Sequence, residues 1–312
     1  MKSKEIILAN PRGFCAGVER AIDIVERSLD RYSDPVYVRH HVVHNKNVVE
    51  KLESKGVRFV KEVKEIPDNA IAIFSAHGVS KDVEDSAIAR EFKYFDATCP
   101  LVTKVHLEVK KHAEKGRDII LIGHKGHPEV IGTLGRHPKR KKSKIFLVES
   151  AGDIEKLSIR NTEIAFVTQT TLSVDETAEL IGLLKEKFPN IIGPSADDIC
   201  YATQNRQDAV KQLSLECDCV IVIGSETSSN SNRLKELAEK CGAQAWLVDS
   251  EENLEKSFFK NVYKIGITAG ASAPEYIVQD VIKYLKKLGY KSLRNLSDNK
   301  ETISFKLPKE LA

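Results

Sequence analysis

The sequence has no apolar run long enough to cross a bilayer. Its longest apolar stretches, such as Ile119–Ile122 and Val220–Ile223, are far shorter than the roughly 20 residues that a membrane-spanning helix needs. The first residues lead into a short predicted strand and contain no apolar segment of the signal-peptide type. We therefore expect a cytoplasmic protein without a membrane partner.

Two nucleotide-binding motifs are also missing, and so is a strong excess of charge of either sign. The absence of Gly-x-x-x-x-Gly-Lys and of Gly-x-Gly-x-x-Gly argues against a nucleotide ligand. The 48 basic and 45 acidic residues leave a formal net charge of +3, so the composition does not indicate a nucleic-acid partner. One dense basic segment, Arg136–Lys144, is interpreted as a solvated loop, with docking of an acidic electron carrier as an alternative use.

Three of the six cysteines occur in similar surroundings. Cys15, Cys99 and Cys200 each lie where a short apolar strand is predicted to give way to a helix. Their separations of 84 and 101 residues are too long for a zinc knuckle or a Cys-x-x-Cys motif, so a shared site requires tertiary assembly. Three converging thiolates predict an iron–sulfur cluster with one iron left open. The remaining cysteines are interpreted as thiols without a ligand role: Cys217, Cys219 and Cys241.

Aligning the chain on the three cysteines reveals an internal repeat. Each cysteine is followed by a predicted helix, a short apolar strand, a polar loop and a second helix. Further along each repeat, another apolar strand ends in a second polar loop before the next helix. The first loops are His40–Asn45, Gly123–Glu129 and Gly224–Ser231. The second loops are Ser75–Gly78, Thr168–Thr171 and Thr268–Ser272.

Short apolar strands that alternate with helices predict parallel sheets covered on both faces. We expect an α/β protein with three small modules around a pseudo-threefold axis, in a trefoil-like arrangement with a central iron–sulfur site. The predicted modules are residues 1–97, 98–193 and 194–290, followed by a tail, 291–312, with a possible strand at Thr302–Leu307. Ligands in such folds bind beyond the carboxyl ends of the strands, where the cysteines and loops should gather.

The loops present neutral hydrogen-bond donors and imidazoles, which suit a buried phosphate. Helix N-termini add free N–H groups and partial positive charge, so a small diphosphate ester is the expected ligand. The segment Ser228–Asn230 also has a structural explanation, because it could simply cap the helix that follows. The candidate residues are His44, His77, His127, Thr170, Ser228, Ser229, Asn230 and Ser272.

Glu129 is the only acid in its loop, two residues after His127. A carboxyl group in a closed site has a raised proton affinity, which suits it to deliver protons. Thr170, from the second loop of the same module, could relay that proton through its hydroxyl. Together with a redox centre and phosphate-binding loops, this pair predicts the reductive removal of a hydroxyl group.

Two other classes of function fit parts of this pattern. A zinc-dependent hydrolase would use His124, His127 and Glu129, and would be colourless and active without a reductant. A non-catalytic iron–sulfur sensor would use the three cysteines alone, and the acid and the phosphate-type loops would have no role in it. An anaerobic preparation that is brown, is reduced by dithionite and consumes a diphosphate separates the reductase from both alternatives.

Many runs of the sequence resemble the 4-hydroxy-3-methylbut-2-enyl diphosphate reductase family, also called LytB/IspH. They occur in the same order over nearly everything from Asn10 to about Ile282. The matching runs are Pro11–Val18, Val43–Asn45, Phe74–Ser80, Asp96–Val102, Gly126–Glu129, Thr168–Ser173, Ile199–Thr203, Asn205–Gln207, Ser228–Leu234 and Ile267–Glu275.

The resemblance implies the last step of the non-mevalonate isoprenoid route. The family reduces an allylic alcohol diphosphate with two electrons and two protons, and releases water with isopentenyl and dimethylallyl diphosphates. The electron donor would be a carrier such as ferredoxin or flavodoxin. We expect a monomer, since a three-module chain can enclose the site alone.

The resemblance also implies a role for each candidate residue. Cys15, Cys99 and Cys200 would hold a 4Fe-4S cluster in which one iron has no protein ligand. Glu129 would supply protons with help from Thr170. The diphosphate would be bound by His44, His77, His127, Ser228, Ser229, Asn230 and Ser272.

Overall fold

The computed structural model describes residues 4–139 and 142–312, and strands alternate with helices along both ranges. The strands of the described residues are β1 (Glu5–Leu8), β2 (Val36–Arg39), β3 (Arg58–Val60), β4 (Ile71–Phe74), β5 (Tyr94–Asp96), β6 (Asp118–Ile122), β7 (Ile145–Val148), β8 (Ile164–Thr168), β9 (Cys219–Ile223), β10 (Gln244–Val248), β11 (Lys264–Ala269) and β12 (Ser292–Asn295). The helices of these residues are α1 (Ala16–Arg31), α2 (Lys46–Ser54), α3 (Lys81–Ala89), α4 (Pro100–Glu114), α5 (Pro128–Leu134), α6 (Ala151–Lys156), α7 (Val174–Lys187), α8 (Tyr201–Glu216), α9 (Ser229–Lys240) and α10 (Glu275–Lys287).

The strands form three sheets in which neighbouring strands pair in parallel. Sheet A has the order β10-β9-β11-β1-β12, sheet B the order β3-β2-β4-β5, and sheet C the order β7-β6-β8. The predicted α/β class with three parallel sheets is therefore confirmed. No helix within the described residues has both the length and the apolar character that a bilayer span requires.

The repeat predicted from the cysteines is present in the topology. Helices α1, α4 and α8 begin at the residues directly after Cys15, Cys99 and Cys200. In each sheet, the first strand after such a helix lies between the second and the third strand of the same repeat. Sheet A adds two further strands, β1 and β12, sheet B adds β5, and in sheet C Ile192 forms a single parallel bridge to Ala165. The same βα pattern thus occurs three times along the chain.

One compact unit, unit 1, is built on sheet A and contains the described residues up to Glu19, with His44–Lys51 and Tyr201–Ser304. Its inner strand β9 is apolar throughout because both of its faces are covered. Ile221 packs in a core cluster with residues of α10, whereas Val220 and Val222 pack with residues of α8 and α9. Because successive side chains of a strand point to opposite faces of the sheet, the one apolar run of β9 contributes residues to two separate cores.

A second compact unit, unit 2, contains Arg20–Val43, Leu52–Cys200 and Phe305–Ala312, with sheets B and C. In sheet C, Ile119 and Leu121 pack with α4, whereas Ile120 and Ile122 pack in a cluster that includes residues of α7. Sheet B has a core of its own, formed by residues such as Ala72, Phe74 and Ala87. Both sheets place their second loops at the carboxyl ends of the strands β4 and β8.

The structure differs from the sequence-based expectation at both ends of the chain. Strand β1 pairs with β11 and β12, and its Ile6 lies opposite Ile265 and Leu293. The first strand therefore shares a sheet with strands of the predicted third module and of the predicted tail. Residues 301–308 form no helix or strand, so the strand expected at Thr302–Leu307 was wrong, and β12 is the strand of the tail. The partners of β1 and the strand of the tail depend on pairing between distant segments, which the local periodicity of a sequence cannot predict.

The surroundings of Cys200 also differ in one respect. No strand of the described residues ends directly before it, because β8 ends at Thr168 and the segment from there to Cys200 contains α7 and, as its only β-structure, the Ile192 bridge. The domain boundaries at 97, 193 and 290 and the pseudo-threefold arrangement stay predictions.

Two leucines of α8 test this description of the core. Leu213 has no exposed surface and packs in the core of unit 1, whereas Leu215 is 82% exposed. We expect Leu213→Ala to lower the free energy of unfolding by about 3 kcal/mol, since it leaves a cavity. The matched change Leu215→Ala should cost less than about 0.5 kcal/mol. Urea unfolding of both variants measures the difference, and equal losses would contradict the burial pattern.

Candidate active site

Each candidate cysteine ligand is tied to the second loop of a repeat by its backbone N–H. Cys15 donates to the carbonyl of Ala271 at 3.1 Å, Cys99 to Ala76 at 3.0 Å, and Cys200 to Thr170 at 3.0 Å. In all three cases the acceptor is the second residue after a strand, namely β11, β4 or β8. The sequence repeat is therefore also a repeat of hydrogen bonds, and it places each cysteine directly before a helix.

In unit 1, the turn that carries Cys15 lies close to the backbone of the segment at the end of β11 and directly after it. The N–H of Gly13 donates to the carbonyl of Ala269 at 3.0 Å. Gly13 has a φ of +69°, and a Cβ added there would lie 3.2 Å from the carbonyl oxygen of Ala273. A residue with a side chain would be strained in this conformation, so the glycine is required for the close approach.

A buried arginine holds the same turn from α8. Arg206 donates to the carbonyl of Gly13 from Nε at 3.1 Å and from Nη2 at 2.8 Å. Its charge is paired with Glu301, whose carboxylate accepts from Nη1 at 2.9 Å and from Nη2 at 3.1 Å. Burial raises the pKa of the Cys15 thiol, while the N–H group of Val18 and the charge of Arg206 oppose that rise. Without a metal this thiol is protonated at neutral pH.

Three predicted diphosphate ligands of unit 1 belong to one region of hydrogen bonds. The hydroxyl of Ser272 donates to the carbonyl of His44 at 2.9 Å. The side-chain oxygen of Asn230 accepts from the N–H of Ala271 at 2.9 Å, and its amide donates to Thr203 Oγ1 at 3.4 Å. Asn230 therefore connects the loop after β9 with the loop after β11.

The other two predicted ligands of unit 1 lie at the start of α9. Ser228 is the N-cap of this helix, and its hydroxyl accepts from the N–H of Ser231 at 3.3 Å. Ser229 is the first helical residue and is half-buried. The capping explanation thus holds for Ser228, whereas Asn230 has partners outside the cap.

In unit 2, Glu129 and Thr170 form a closed pair. The N–H of Thr170 donates to one carboxylate oxygen of Glu129 at 2.6 Å, and its hydroxyl donates to the other at 2.9 Å. Glu129 is 3% exposed and Thr170 is 4% exposed. Burial raises the pKa of Glu129 to about 7 and outweighs the two hydrogen bonds from Thr170, which lower it; the nearby charge of Asp198 raises it further. A carboxyl group with this pKa can hold and release a proton near neutral pH.

Two histidines of unit 2 lie against each other. The rings of His77 and His127 meet edge to face, with centroids 5.9 Å apart. His77 Nδ1 lies 3.3 Å from the hydroxyl of Ser75. His127 Nδ1 accepts from the N–H of Glu129 at 3.2 Å, so the neutral ring carries its proton on Nε2. That Nε2–H is a donor of the kind that a phosphate oxygen accepts.

Comparison of the sequence with known protein families and proteins identifies the family of this chain. The model of the family described as "LytB protein" matches residues 6–286. The chain belongs to the LytB family. A relative from Saccharophagus degradans, 4-hydroxy-3-methylbut-2-enyl diphosphate reductase, is 60% identical over 98% of this chain and 99% of its own length. The reductase of the same name from Acinetobacter baylyi is 58% identical, with 98% of both chains covered.

Solved structures of LytB proteins have the same fold. The E-1-hydroxy-2-methyl-but-2-enyl-4-diphosphate reductase from Plasmodium falciparum superimposes with a TM-score of 0.93 at 40% identity, covering 99% of this chain and 97% of that one. A second structure is described as (E)-4-hydroxy-3-methyl-but-2-enyl diphosphate reductase, the terminal enzyme of the non-mevalonate pathway. It gives a TM-score of 0.67 at 32% identity, with 91% of this chain and 99% of that chain covered.

The donor set of this LytB chain fits a cluster better than a single metal ion. Among residues 4–139 and 142–312, no three His, Cys, Asp or Glu side chains are arranged to hold one ion. The zinc alternative with His124, His127 and Glu129 therefore has no support. A cubane cluster makes no such demand, because each thiolate binds a different iron. At Cys15, N–H groups of Gly17 and Val18 also stabilise the thiolate form that ligation needs.

Sequence reasoning missed two charged residues beside the site of this LytB chain. Arg206 lies on α8 in line with the apolar positions Ala202 and Leu213, so a charged residue at a core-facing position was the available signal. Asp198 is buried, accepts from the N–H of Thr168 at 3.0 Å and pairs with Lys104 at 3.2 Å. Burial raises the pKa of Asp198 to about 6. Its sequence neighbourhood gives no comparable signal.

The basic segment is partly neutralised within unit 2. Arg136 pairs with Glu84 and Lys139 with Asp82, each at 2.6 Å. Lys142 and Lys144 are exposed. The other two basic residues of the segment lie outside the described part of the chain: Arg140 and Lys141.

The buried acid makes stability depend on pH. Between pH 4.5 and about 7 the unfolded chain has lost the Glu129 proton while the folded chain keeps it. The free energy of unfolding should therefore fall by about 3 kcal/mol as the pH rises through this window, and level off above it. Glu129→Gln should lack this part of the pH dependence.

Urea unfolding at pH 4.5 and pH 8 of the wild type and Glu129→Gln measures the effect, since contributions shared by both proteins cancel in the difference. As a control, Glu114→Gln removes an exposed carboxylate of the same unit and should keep the wild-type profile. Parallel profiles for the wild type and Glu129→Gln would show that the Glu129 proton affinity is the same in the folded and unfolded states.

Proposed function

We propose that this chain reduces 4-hydroxy-3-methylbut-2-enyl diphosphate to isopentenyl and dimethylallyl diphosphates, the last step of the non-mevalonate pathway. Its similarity over nearly full length to reductases of that name supports the substrate. One observation supports the chemistry most directly. Thr170 bonds Glu129 through its N–H and hydroxyl, while its carbonyl accepts the N–H of Cys200. Thr170 thus contacts both a group that can hold a proton and a candidate metal ligand.

Cys15, Cys99 and Cys200 are the proposed ligands of a 4Fe-4S cluster with one iron that lacks a protein ligand. When bound, such a cluster would supply the electrons and a Lewis-acidic iron. The backbone of this chain keeps each cysteine before a helix, on the second loop of a repeat. A fourth protein thiolate would close the open position.

The reaction consumes two electrons and two protons for each C–O bond broken, and releases one water. Protonated Glu129 can donate to the hydroxyl oxygen of Thr170, which then donates its own proton to the leaving oxygen. This transfer makes water the leaving group, whereas hydroxide would leave poorly. The pKa of about 7 allows Glu129 to be reprotonated near neutral pH for the second proton.

The diphosphate is the proposed ligand of the loop side chains. The His127 Nε2–H and the hydroxyl and amide groups of the other residues are neutral donors that match phosphate oxygens. They anchor the substrate away from its reacting carbon. The proposed diphosphate ligands are His44, His77, His127, Ser228, Ser229, Asn230 and Ser272, whereas Thr170 is proposed to bind the substrate at its leaving oxygen. A non-catalytic sensor would have no need for these groups or for the buried Glu129.

Substitution of the cysteines and of Glu129 should have different effects. Serine at Cys15, Cys99 or Cys200 should abolish both cluster and turnover, because a thiolate ligand is lost. Glu129→Gln should keep the cluster and lower turnover at least 100-fold, by the usual size of general acid catalysis. Cys241→Ser is the matched control and should retain both, since Cys241 is exposed.

Anaerobic reconstitution, iron and sulfide analysis, dithionite reduction and consumption of the diphosphate measure these effects. The proposal fails if the wild-type protein takes up no iron and sulfide. Full turnover by Glu129→Gln would remove this residue from the proton path.

We further propose a cytoplasmic monomer that receives electrons from an acidic carrier such as ferredoxin or flavodoxin, docking at the exposed lysines of the basic segment. The double change Lys142→Gln and Lys144→Gln should slow turnover driven by the carrier several-fold, mainly at low salt. Turnover driven by dithionite with a viologen should be unchanged. If the carrier-driven rate and its salt dependence stay at wild-type values, the carrier docks elsewhere.

A further inference from the structure

The ion pair of Arg206 and Glu301 has no part in the proposed reaction, yet it lies beside the Cys15 turn in unit 1. The side chain of Arg206 is fully buried and that of Glu301 is 15% exposed. Burying a charged group is costly unless it is paired and fully hydrogen-bonded. An apolar residue at this core-facing position of α8 would avoid that cost. The pair therefore calls for a physical explanation.

The guanidinium of Arg206 is satisfied on every side. Besides the two bonds to Gly13, Nη2 donates to the carbonyl of Phe14 at 3.3 Å and Nη1 to that of Ala202 at 2.9 Å. Glu301 completes the set with its two oxygens. Because the fork of an arginine is planar and rigid, these bonds fix the two residues before Cys15 relative to α8.

Glu301 is held from a second side. The amide of Asn205 donates to Glu301 Oε1 at 3.0 Å. Both residues line a surface cavity of about 380 Å³, together with Asn10 and Lys300. Glutamine has the same shape as Glu301 and removes its charge, at the cost of one of the two hydrogen bonds from Arg206. The segment after β12 thus reaches the cysteine turn through one carboxylate.

The two charges also lie beside the turn that carries Cys15. Arg206 donates to the carbonyls of the two residues directly before Cys15. Glu301 pairs with Arg206 at 2.9 Å, so a positive and a negative charge lie next to this turn. Reduction makes an iron–sulfur cluster more negative, so a nearby positive charge raises its reduction potential and a negative charge lowers it. The same two charges must act in opposite directions on a cluster bound at the Cys15 sulfur.

We propose that Arg206 and Glu301 form a clamp that positions the Cys15 turn for ligation and sets the reduction potential of the bound cluster. Both are positioning residues that act through Cys15. The inference rests on the proposed function, because it takes Cys15 as a cluster ligand. It also assigns a role to the tail, for which the sequence pattern indicated none.

Substitutions separate the two effects of the clamp. Glu301→Gln leaves the positive charge uncompensated and should raise the reduction potential. Arg206→Met leaves the negative charge and should lower it, with faster loss of iron to a chelator. Arg206→Lys keeps the charge but loses the fork, so the potential should stay near the wild-type value while iron loss is several-fold faster. Arg294→Gln is the control, since it breaks exposed ion pairs with Glu5 and Glu216 in the same unit.

The experiment is an anaerobic redox titration of each reconstituted protein, followed by electron paramagnetic resonance, with iron release to a chelator measured in parallel. Opposite shifts for Glu301→Gln and Arg206→Met, with an unchanged control, support the clamp. Shifts of the same sign, or none, overturn it, because a merely structural role predicts no opposition of sign. If Arg206→Met does not fold, a raised potential for Glu301→Gln, together with a near-wild-type potential and faster iron loss for Arg206→Lys, supports the clamp, and an unchanged potential for Glu301→Gln overturns it.

The wild-type protein distinguishes failure of the clamp from failure of the proposed function. A wild-type chain that binds no cluster overturns the proposed function and the clamp with it. If the wild-type protein binds a cluster but its reduction potential is unchanged by Glu301→Gln and Arg206→Met, only the clamp is overturned.

Discussion

The site depends on one repeated hydrogen bond, from the N–H of a cysteine to the carbonyl of the second residue after a parallel strand. Cys15, Cys99 and Cys200 each make this bond. It fixes where the chain leaves the edge of a sheet and where the next helix begins. The loops that carry the polar candidates start at the same edges, so their positions follow from the same constraint.

The three copies of this bond share a backbone but not a side chain. The acceptor residues are Ala76, Thr170 and Ala271. Among these acceptors only Thr170 has a hydroxyl, and that hydroxyl donates to the buried Glu129. The backbone bond thus recurs in all three repeats, while the buried acid that is proposed to carry protons is bonded to the acceptor residue in one of them. Burial at that point outweighs the hydrogen bonds that favour the ionised acid, which is why its pKa rises.

The features that could be predicted from the sequence are those that depend on local patterns of apolar and polar residues. The helices after the cysteines, the apolar strands and the polar loops follow from periodicity, and the pair of Glu129 and Thr170 follows from their places in two loops of one repeat. The partners of β1 and β12 could not be predicted, because long-range pairing sets them and β12 is an exposed, polar strand. Arg206 was missed because its role depends on Glu301, which is far away in sequence.

The place of β1 in sheet A has a consequence for how the protein is made. Strand β1 is synthesised long before its partners β11 and β12. The turn of Cys15 has backbone partners at the end of β11 and directly after it. A chain that has not yet been extended beyond β11 therefore cannot hold the Cys15 turn in this geometry, and a cofactor that needs this thiol has to be inserted after that segment has been synthesised.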